Sequence, residues 1–214
     1  MGLLRDSDKE AVKERLEGMT GKVKFVYFTQ EFECQFCRET GELLQEVADL
    51  TDKIDLEVFN FANDEEEVKK YNIDKIPALV MLDESEKDYG IRFYGIPSGY
   101  EFVTVLEDIL MLSAGDSGLS EEAKEVLAKL QQDVHFQVFV TPTCPYCPNM
   151  VKLAHQMAFE SEKVRGDMIE ASEFPHLSMK YQVQGVPRTV MNEEHSLEGM
   201  VPVDMVLEEI QKIG

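Results

Sequence analysis

The sequence is short of positive charge. Its 214 residues hold 21 Lys and Arg against 42 Asp and Glu, a formal net charge of −21. Such an excess repels nucleic-acid backbones and anionic membrane surfaces, and no lysine or arginine cluster reverses it locally. Long apolar runs are missing too. No stretch approaches the ~18 uninterrupted apolar residues of a membrane helix, and the charged opening MGLLRDSDKEAVKERLEGM has no apolar segment of signal-peptide length. Neither nucleic acid nor membrane is therefore an expected partner, and the expected compartment is the cytoplasm. The four histidines (His135, His155, His176, His195) are scattered. His155 falls on the helix expected after the second cysteine pair and is expected to face solvent. Cysteine is scarce as well, with only four residues. In a cytosolic chain, cysteine pairs point to catalysis or metal binding before structural bridges. The glutamate-rich composition is compatible with a thermophilic source, where that rule has exceptions.

What is present points to a folded, duplicated chain. Hydrophobic residues make up 43% and charged residues 29%, enough apolar content for a core. The length suits two domains of about 100 residues. The cysteines form two C-x-x-C pairs, Cys34 with Cys37 and Cys144 with Cys147. Pro77 lies 43 residues after Cys34, and Pro187 lies 43 residues after Cys144. YNIDKIPALVML (71–82) and YQVQGVPRTVMN (181–192) repeat a tyrosine, two β-branched residues and the proline at one offset of 110. Upstream, VKFVYFT (23–29) matches HFQVFVT (135–141), which leaves two extra residues before Cys34, within 30–33.

The boundary between the copies falls near SAGDSG (113–118), which has the composition of a loop. Ser120, followed by Glu121 and Glu122, then reads as an N-cap with an acidic first turn. The domains are accordingly 1–116 and 117–214. Each copy is expected to run from an opening helix (about 7–18 and 120–130) through a strand to the C-x-x-C, which opens a second helix (about 35–50 and 145–160). A strand follows (about 54–60 and 164–170), then a short helix, two more strands (about 78–82 with 89–94, and 188–192 with 195–199) and a closing helix. The fold class is α/β, with each unit a mixed four-stranded sheet flanked by helices.

Thiol–disulfide chemistry needs a thiolate and a second thiol within reach to resolve a mixed disulfide. A C-x-x-C at a helix start supplies both. With Cys144 as N-cap, Pro145 is N1, Tyr146 is N2 and Cys147 is N3; the sulfur then meets two free amides and the positive end of the helix dipole. Cys144 and Cys34 are therefore the expected nucleophiles, with Cys147 and Cys37 as shielded resolving thiols. Glu31 and Glu33 crowd Cys34, and Arg38 offsets part of that; around Cys144 the first upstream carboxylate is Asp133. Negative neighbours disfavour a thiolate, so Cys144 is expected to be the more acidic and reactive thiol. Phe36 and Tyr146, between the cysteines, are expected to line a substrate groove.

A strand, a C-x-x-C at a helix start and an Ile-Pro or Val-Pro about forty residues later resemble the thioredoxin superfamily, and CPYC is the form seen in glutaredoxins. Two such units in tandem, with KDYGIRFYGIPSGYEF and FVTPTCPYCP, resemble the protein disulfide oxidoreductases of thermophilic bacteria and archaea across essentially the whole chain. The resemblance implies cis peptide bonds at Ile76-Pro77 and Val186-Pro187, packed against the disulfides and contacting the substrate backbone. Many thioredoxins also carry a buried acid six residues before the first cysteine. Here those positions are Phe28 and Val138, or Val26 once the two extra residues are allowed for, all apolar, so no general base is assigned.

Zinc is the main rival for four cysteines. The 106 residues between Cys37 and Cys144, and the repetition of each pair within its own unit, argue against a shared site. Inert bridges gain little from so short a loop. The expected function is a protein-disulfide oxidoreductase with no metal and no bound cofactor, fed by an external reductant such as a thioredoxin-reductase-like partner. Reduction, oxidation and isomerisation all remain open, because related dithiols span a wide range of potentials. An electron carrier dedicated to a peroxidase-type partner, and a peptide-binding or chaperone module, are the alternatives.

Overall fold

The computed structural model describes residues 2–213. The chain groups into two compact units. One holds the chain as far as Asp88 with Phe93–Pro97 and Val105–Asp116; the other holds Tyr89–Arg92, Ser98–Thr104 and the chain from Ser117 onward.

The elements begin with α1 (Asp6–Leu16), β1 (Val23–Thr29), α2 (Cys37–Ala48), β2 (Ile54–Asn60), α3 (Glu65–Lys70), β3 (Ala78–Asp83) and β4 (Asp88–Tyr94). A short 3-10 turn (Gly99–Glu101) leads into α4 (Phe102–Ala114). The pattern then recurs as α5 (Glu121–Leu127), β5 (Val134–Val140), α6 (Cys147–Glu160), β6 (Val164–Glu170), α7 (Pro175–Lys180), β7 (Arg188–Met191), β8 (His195–Glu198) and α8 (Val203–Ile213). The cap expected at Ser120 is present: its hydroxyl accepts the Ala123 amide at 3.3 Å.

In the first copy the strand order is β2-β1-β3-β4. β1 runs parallel to β2 and antiparallel to β3, so the sheet is mixed. In the second copy the order is β6-β5-β7-β8, with β5 parallel to β6 and antiparallel to β7. β1 and β5 are central strands, and their residues are almost all buried. That is why VKFVYFT and VHFQVFV read as near-continuous apolar runs without alternation. β2 is an edge strand, and its exposed Asp55 and Glu57 discourage further strand pairing.

The register corrects one expectation. Val23 pairs with Ile54, and Val134 pairs with Val164; the first central strand therefore matches 134–140, not 135–141. Phe28 packs against Tyr71 at 6.0 Å between ring centroids, and its structural equivalent Phe139 packs against Tyr181 at 5.7 Å. The approach to Cys34 is thus longer by one residue, not two. Both alignments superpose aromatic and β-branched residues, so only the pairing with the neighbouring strand separates them.

The helices after the cysteines bury one face each. On α2 the buried residues are Cys37, Thr40, Leu43, Leu44, Val47 and Ala48, a helical stripe. On α6 they include Cys147, Met150, Val151, Ala154, His155 and Ala158. His155 lies on that stripe at 0% exposure, which overturns the expectation that it faces solvent. Gly166 on β6 makes room for it: a Cβ there would stand 2.9 Å from His155 Cδ2 and 3.0 Å from the Ala154 carbonyl oxygen.

Candidate active site

The second unit holds a disulfide between Cys144 and Cys147 at the start of α6. The helix begins later than expected. Cys147 is its first residue, Tyr146 occupies the N-cap and Pro148 falls at N2; Cys144 is therefore not the N-cap, and Pro145 is not N1. The expected amide contact survives the shift: the Cys147 N–H still points at Cys144 Sγ, at 3.2 Å. This amide belongs to the first helical turn, where no backbone acceptor exists, and the sulfur satisfies it. Pro148 removes no helical hydrogen bond, since the N2 amide lacks a partner in any helix.

The cis bond Val186-Pro187 lies alongside. The Val186 carbonyl oxygen is 3.7 Å from Cys144 Sγ, so the residue before the cis-proline touches the expected nucleophile. The Pro187 carbonyl accepts the Gly199 amide at 2.8 Å, which fixes this loop against the end of β8. Cys144 is 7% exposed, Cys147 is 0% exposed and Tyr146 projects outward. The first carboxylate upstream, Asp133, is paired with Lys163 at 3.2 Å.

The approach to Cys144 is braced by residues that the sequence does not single out. The Pro142 carbonyl accepts the Tyr100 amide at 2.9 Å. Gly99 adopts φ +62, and a Cβ on it would stand 2.2 Å from that same carbonyl oxygen. Only glycine permits both the left-handed conformation and the close approach. The signal lies in the glycine of PSGYEF, but its partner is more than forty residues away.

The first unit holds the matching disulfide, Cys34 with Cys37, and the matching cis bond, Ile76-Pro77. α2 begins at Cys37 with Phe36 at the N-cap. The surroundings differ. Cys34 and Phe36 are half-buried and Cys37 is buried. Phe32 is 79% exposed, and Glu33 takes φ 57, a left-handed conformation that costs a non-glycine residue on the order of 1 kcal/mol. Lys75, just before Ile76, holds its ammonium 3.8 Å over the Tyr94 ring and pairs with Asp74 at 2.6 Å.

With the corrected register, Tyr27 is the counterpart of Val138, the position that in many thioredoxins carries an acid. Tyr27 is 1% exposed, and its hydroxyl donates to the Cys37 carbonyl at 2.5 Å. Gly41 on α2 faces its ring, where a Cβ would lie 3.1 Å away. The first unit thus has a buried hydroxyl on the Cys37 backbone where the second has a valine.

One buried charge cluster lies on the strands of the second unit. Asp167, fully buried, contacts His135 Nε2 at 2.7 Å and accepts from Arg165 Nε at 2.8 Å. Burial pushes its carboxyl up, but the hydrogen bond and charge of His135 and the guanidinium of Arg165 outweigh that and hold it well below the usual carboxylate range. Among the described residues, no group of three His, Cys, Asp or Glu is placed to hold a metal ion, and no helix is long and apolar enough to cross a membrane.

Comparison with known proteins agrees with this geometry. Residues 134–212 match the thioredoxin domain family. The F subunit of alkyl hydroperoxide reductase in Staphylococcus aureus is 25% identical over 202 residues, 94% of this chain and 36% of that protein. Its Pseudomonas aeruginosa counterpart is 27% identical over 173 residues, 81% of this chain and 31% of that protein. The chain therefore spans only about a third of the length of these curated relatives. A protein disulfide oxidoreductase from Aeropyrum pernix superposes with a TM-score of 0.91 at 26% identity, covering 98% of this chain and 93% of the other. The alkylhydroperoxide reductase F subunit of Enterococcus faecalis gives 0.89 at 25% identity, over 97% and 99%. The chain is a thioredoxin-fold protein built as a tandem of two such units, each with its own C-x-x-C disulfide.

Proposed function

We propose that the chain is a cytoplasmic thiol–disulfide oxidoreductase acting on protein disulfides, with 1–116 and 117–214 as its functional units and Cys144 as its main nucleophile. The observation that carries this reading is the Cys147 amide directed at Cys144 Sγ from 3.2 Å. When the pair is reduced, that donor and the helix start favour a thiolate on Cys144. The thiolate attacks one sulfur of a substrate disulfide, forms a mixed disulfide and expels the other substrate sulfur as a thiolate. Cys147 then attacks Cys144 Sγ, which closes the internal disulfide and releases the second substrate thiol. Two electrons pass to the substrate in each cycle, and an external dithiol reductant, such as a thioredoxin-reductase-like partner, restores the pair. The reverse sequence oxidises substrate thiols. Val186, Pro187 and Tyr146 form the substrate-contacting rim of this site; Ile76, Pro77 and Phe36 form that of Cys34 and Cys37. No bound cofactor enters the cycle.

A second reading is favoured by one finding: the F subunit of alkyl hydroperoxide reductase aligns with 94% of this chain. In that reading the same dithiols carry electrons to a peroxidase-type partner.

Both are tested with wild type, Cys34→Ser, Cys144→Ser and the double variant, assayed for reduction of a protein disulfide and of an oxidised peroxidase. Cys144→Ser is expected to lower turnover on the order of a hundredfold and Cys34→Ser by less. Undiminished activity in the double variant would rule out both readings. Reduction of the peroxidase alone would select the second.

A further inference from the structure

The two sites present different faces to an incoming protein. The approach to Cys34 is Gln30-Glu31-Phe32-Glu33, where the second unit has Thr141-Pro142-Thr143. Phe32 is 79% exposed, the most exposed large hydrophobic side chain among the described residues. Its backbone is held: Gln30 Nε2 donates to the Phe32 carbonyl at 2.5 Å, and Glu33 is turned into the left-handed region at φ 57. The Phe32 ring thus stands in water two residues before the half-buried Cys34, where an incoming protein would meet it.

Charge distinguishes the two faces further. Glu31 and Glu33 are exposed on this approach, and Glu39 and Glu42 follow on α2. The cations nearby are already engaged, Arg38 by Glu42 at 2.9 Å and Lys75 by Asp74 and the Tyr94 ring. Around Cys144 the neighbours Thr141, Pro142, Thr143, Pro145, Tyr146 and Asn149 carry no charge.

We propose that Phe32 is a specificity-determining residue, and that the Cys34–Cys37 site exchanges electrons with a protein dithiol set in an apolar socket with a basic rim. This deepens the reading above and rests on it. A thiolate of the partner attacks the half-exposed Cys34 Sγ and displaces Cys37 as a thiolate. The partner's second thiol then resolves the mixed disulfide. The partner leaves as a disulfide, and two electrons and two protons remain on Cys34 and Cys37. Phe32 fills the socket, while Glu31 and Glu33 steer the encounter and oppose an acidic partner.

The test isolates the first site in the full chain carrying Cys144→Ser and Cys147→Ser. Its reduction is followed with dithiothreitol and with two synthetic dithiol peptides. Both peptides contain C-x-x-C flanked by leucine, one with lysines around it and the other with glutamates. The lysine peptide is expected to react roughly tenfold faster than the glutamate peptide at low ionic strength, and the gap should close at high salt. Phe32→Ala should slow the lysine peptide several-fold and leave the dithiothreitol rate unchanged, while Phe32→Leu should recover most of the loss. Equal rates for the two peptides would overturn the proposal, as would a Phe32→Ala loss shared by dithiothreitol. A first site inert to every thiol would overturn the oxidoreductase reading of that site, and the proposal with it.

Discussion

The first and second sites are built from the same parts and differ in what surrounds them. Each has a disulfide at the start of a helix, a cis X-Pro bond whose proline lies 43 residues after the first cysteine, and a buried second cysteine. The second is nearly closed, flanked in sequence by uncharged residues and supplied with an amide aimed at its outer sulfur. The first is more open, approached past the exposed Glu31 and Glu33, and has a tyrosine hydroxyl on the Cys37 carbonyl. The copies share their disulfides and cis-prolines and differ in access and in the charge of their flanking residues. Such features can choose partners and set rates without rebuilding a fold.

This contrast can be broken at three further points. The largest effect is expected at Gly99, whose φ of +62 and closeness to the Pro142 carbonyl leave no room for a Cβ. Gly99→Ala should cost about 3 kcal/mol or more, from a backbone clash added to left-handed strain. It should slow exchange at Cys144 while sparing Cys34, as site-resolved alkylation of the reduced protein would show. Equal loss at both cysteines would mean that the brace is not local to the second site.

Asp167→Asn comes next. It removes the charge, and one of the two acceptor oxygens, that His135 and Arg165 share inside the second unit. About 2–3 kcal/mol is expected in urea unfolding, less than for a fully buried pair, because His135 and Arg165 keep some solvent contact. The wild type carries the same weakness in acid. A carboxyl depressed in the folded state contributes stability that is complete above its unfolded value of about 4 and is lost as pH falls toward the folded value. Hydrogen exchange in the second unit should therefore rise below about pH 4, and Asp167→Asn should flatten that dependence. The smallest effect is that of Tyr27→Phe, about 1 kcal/mol from the lost hydroxyl bond to Cys37. It is expected in the first unit only, and thermal unfolding with exchange at single-residue resolution would locate it.

The sequence carries the reacting atoms well and their setting poorly. The paired cysteines and prolines repeat at fixed spacing, and Ser120 followed by two glutamates marks its helix start, because these signals are local. The offset of the central strands is not local. FVYFT and QVFVT align equally well in either register, and only the pairing of Val134 with Val164 decides between them. For His155, polarity argues for solvent and spacing argues for the core; counting from Cys147 by threes and fours puts it on the buried stripe, and spacing wins. Gly99 and Tyr100 brace Pro142 through a contact that no neighbouring residue announces.

The prolines of the second site have a consequence for heat. Pro142, Pro145 and Pro148 punctuate the segment from Thr141 to Asn149, whereas residues 30–38 of the first site contain no proline. Each proline in a conformation it tolerates removes freedom from the unfolded chain, worth about 0.4–1 kcal/mol. Being entropic, that advantage grows with absolute temperature. On warming, the segment of the second site is therefore expected to hold its folded conformation to a higher temperature than that of the first.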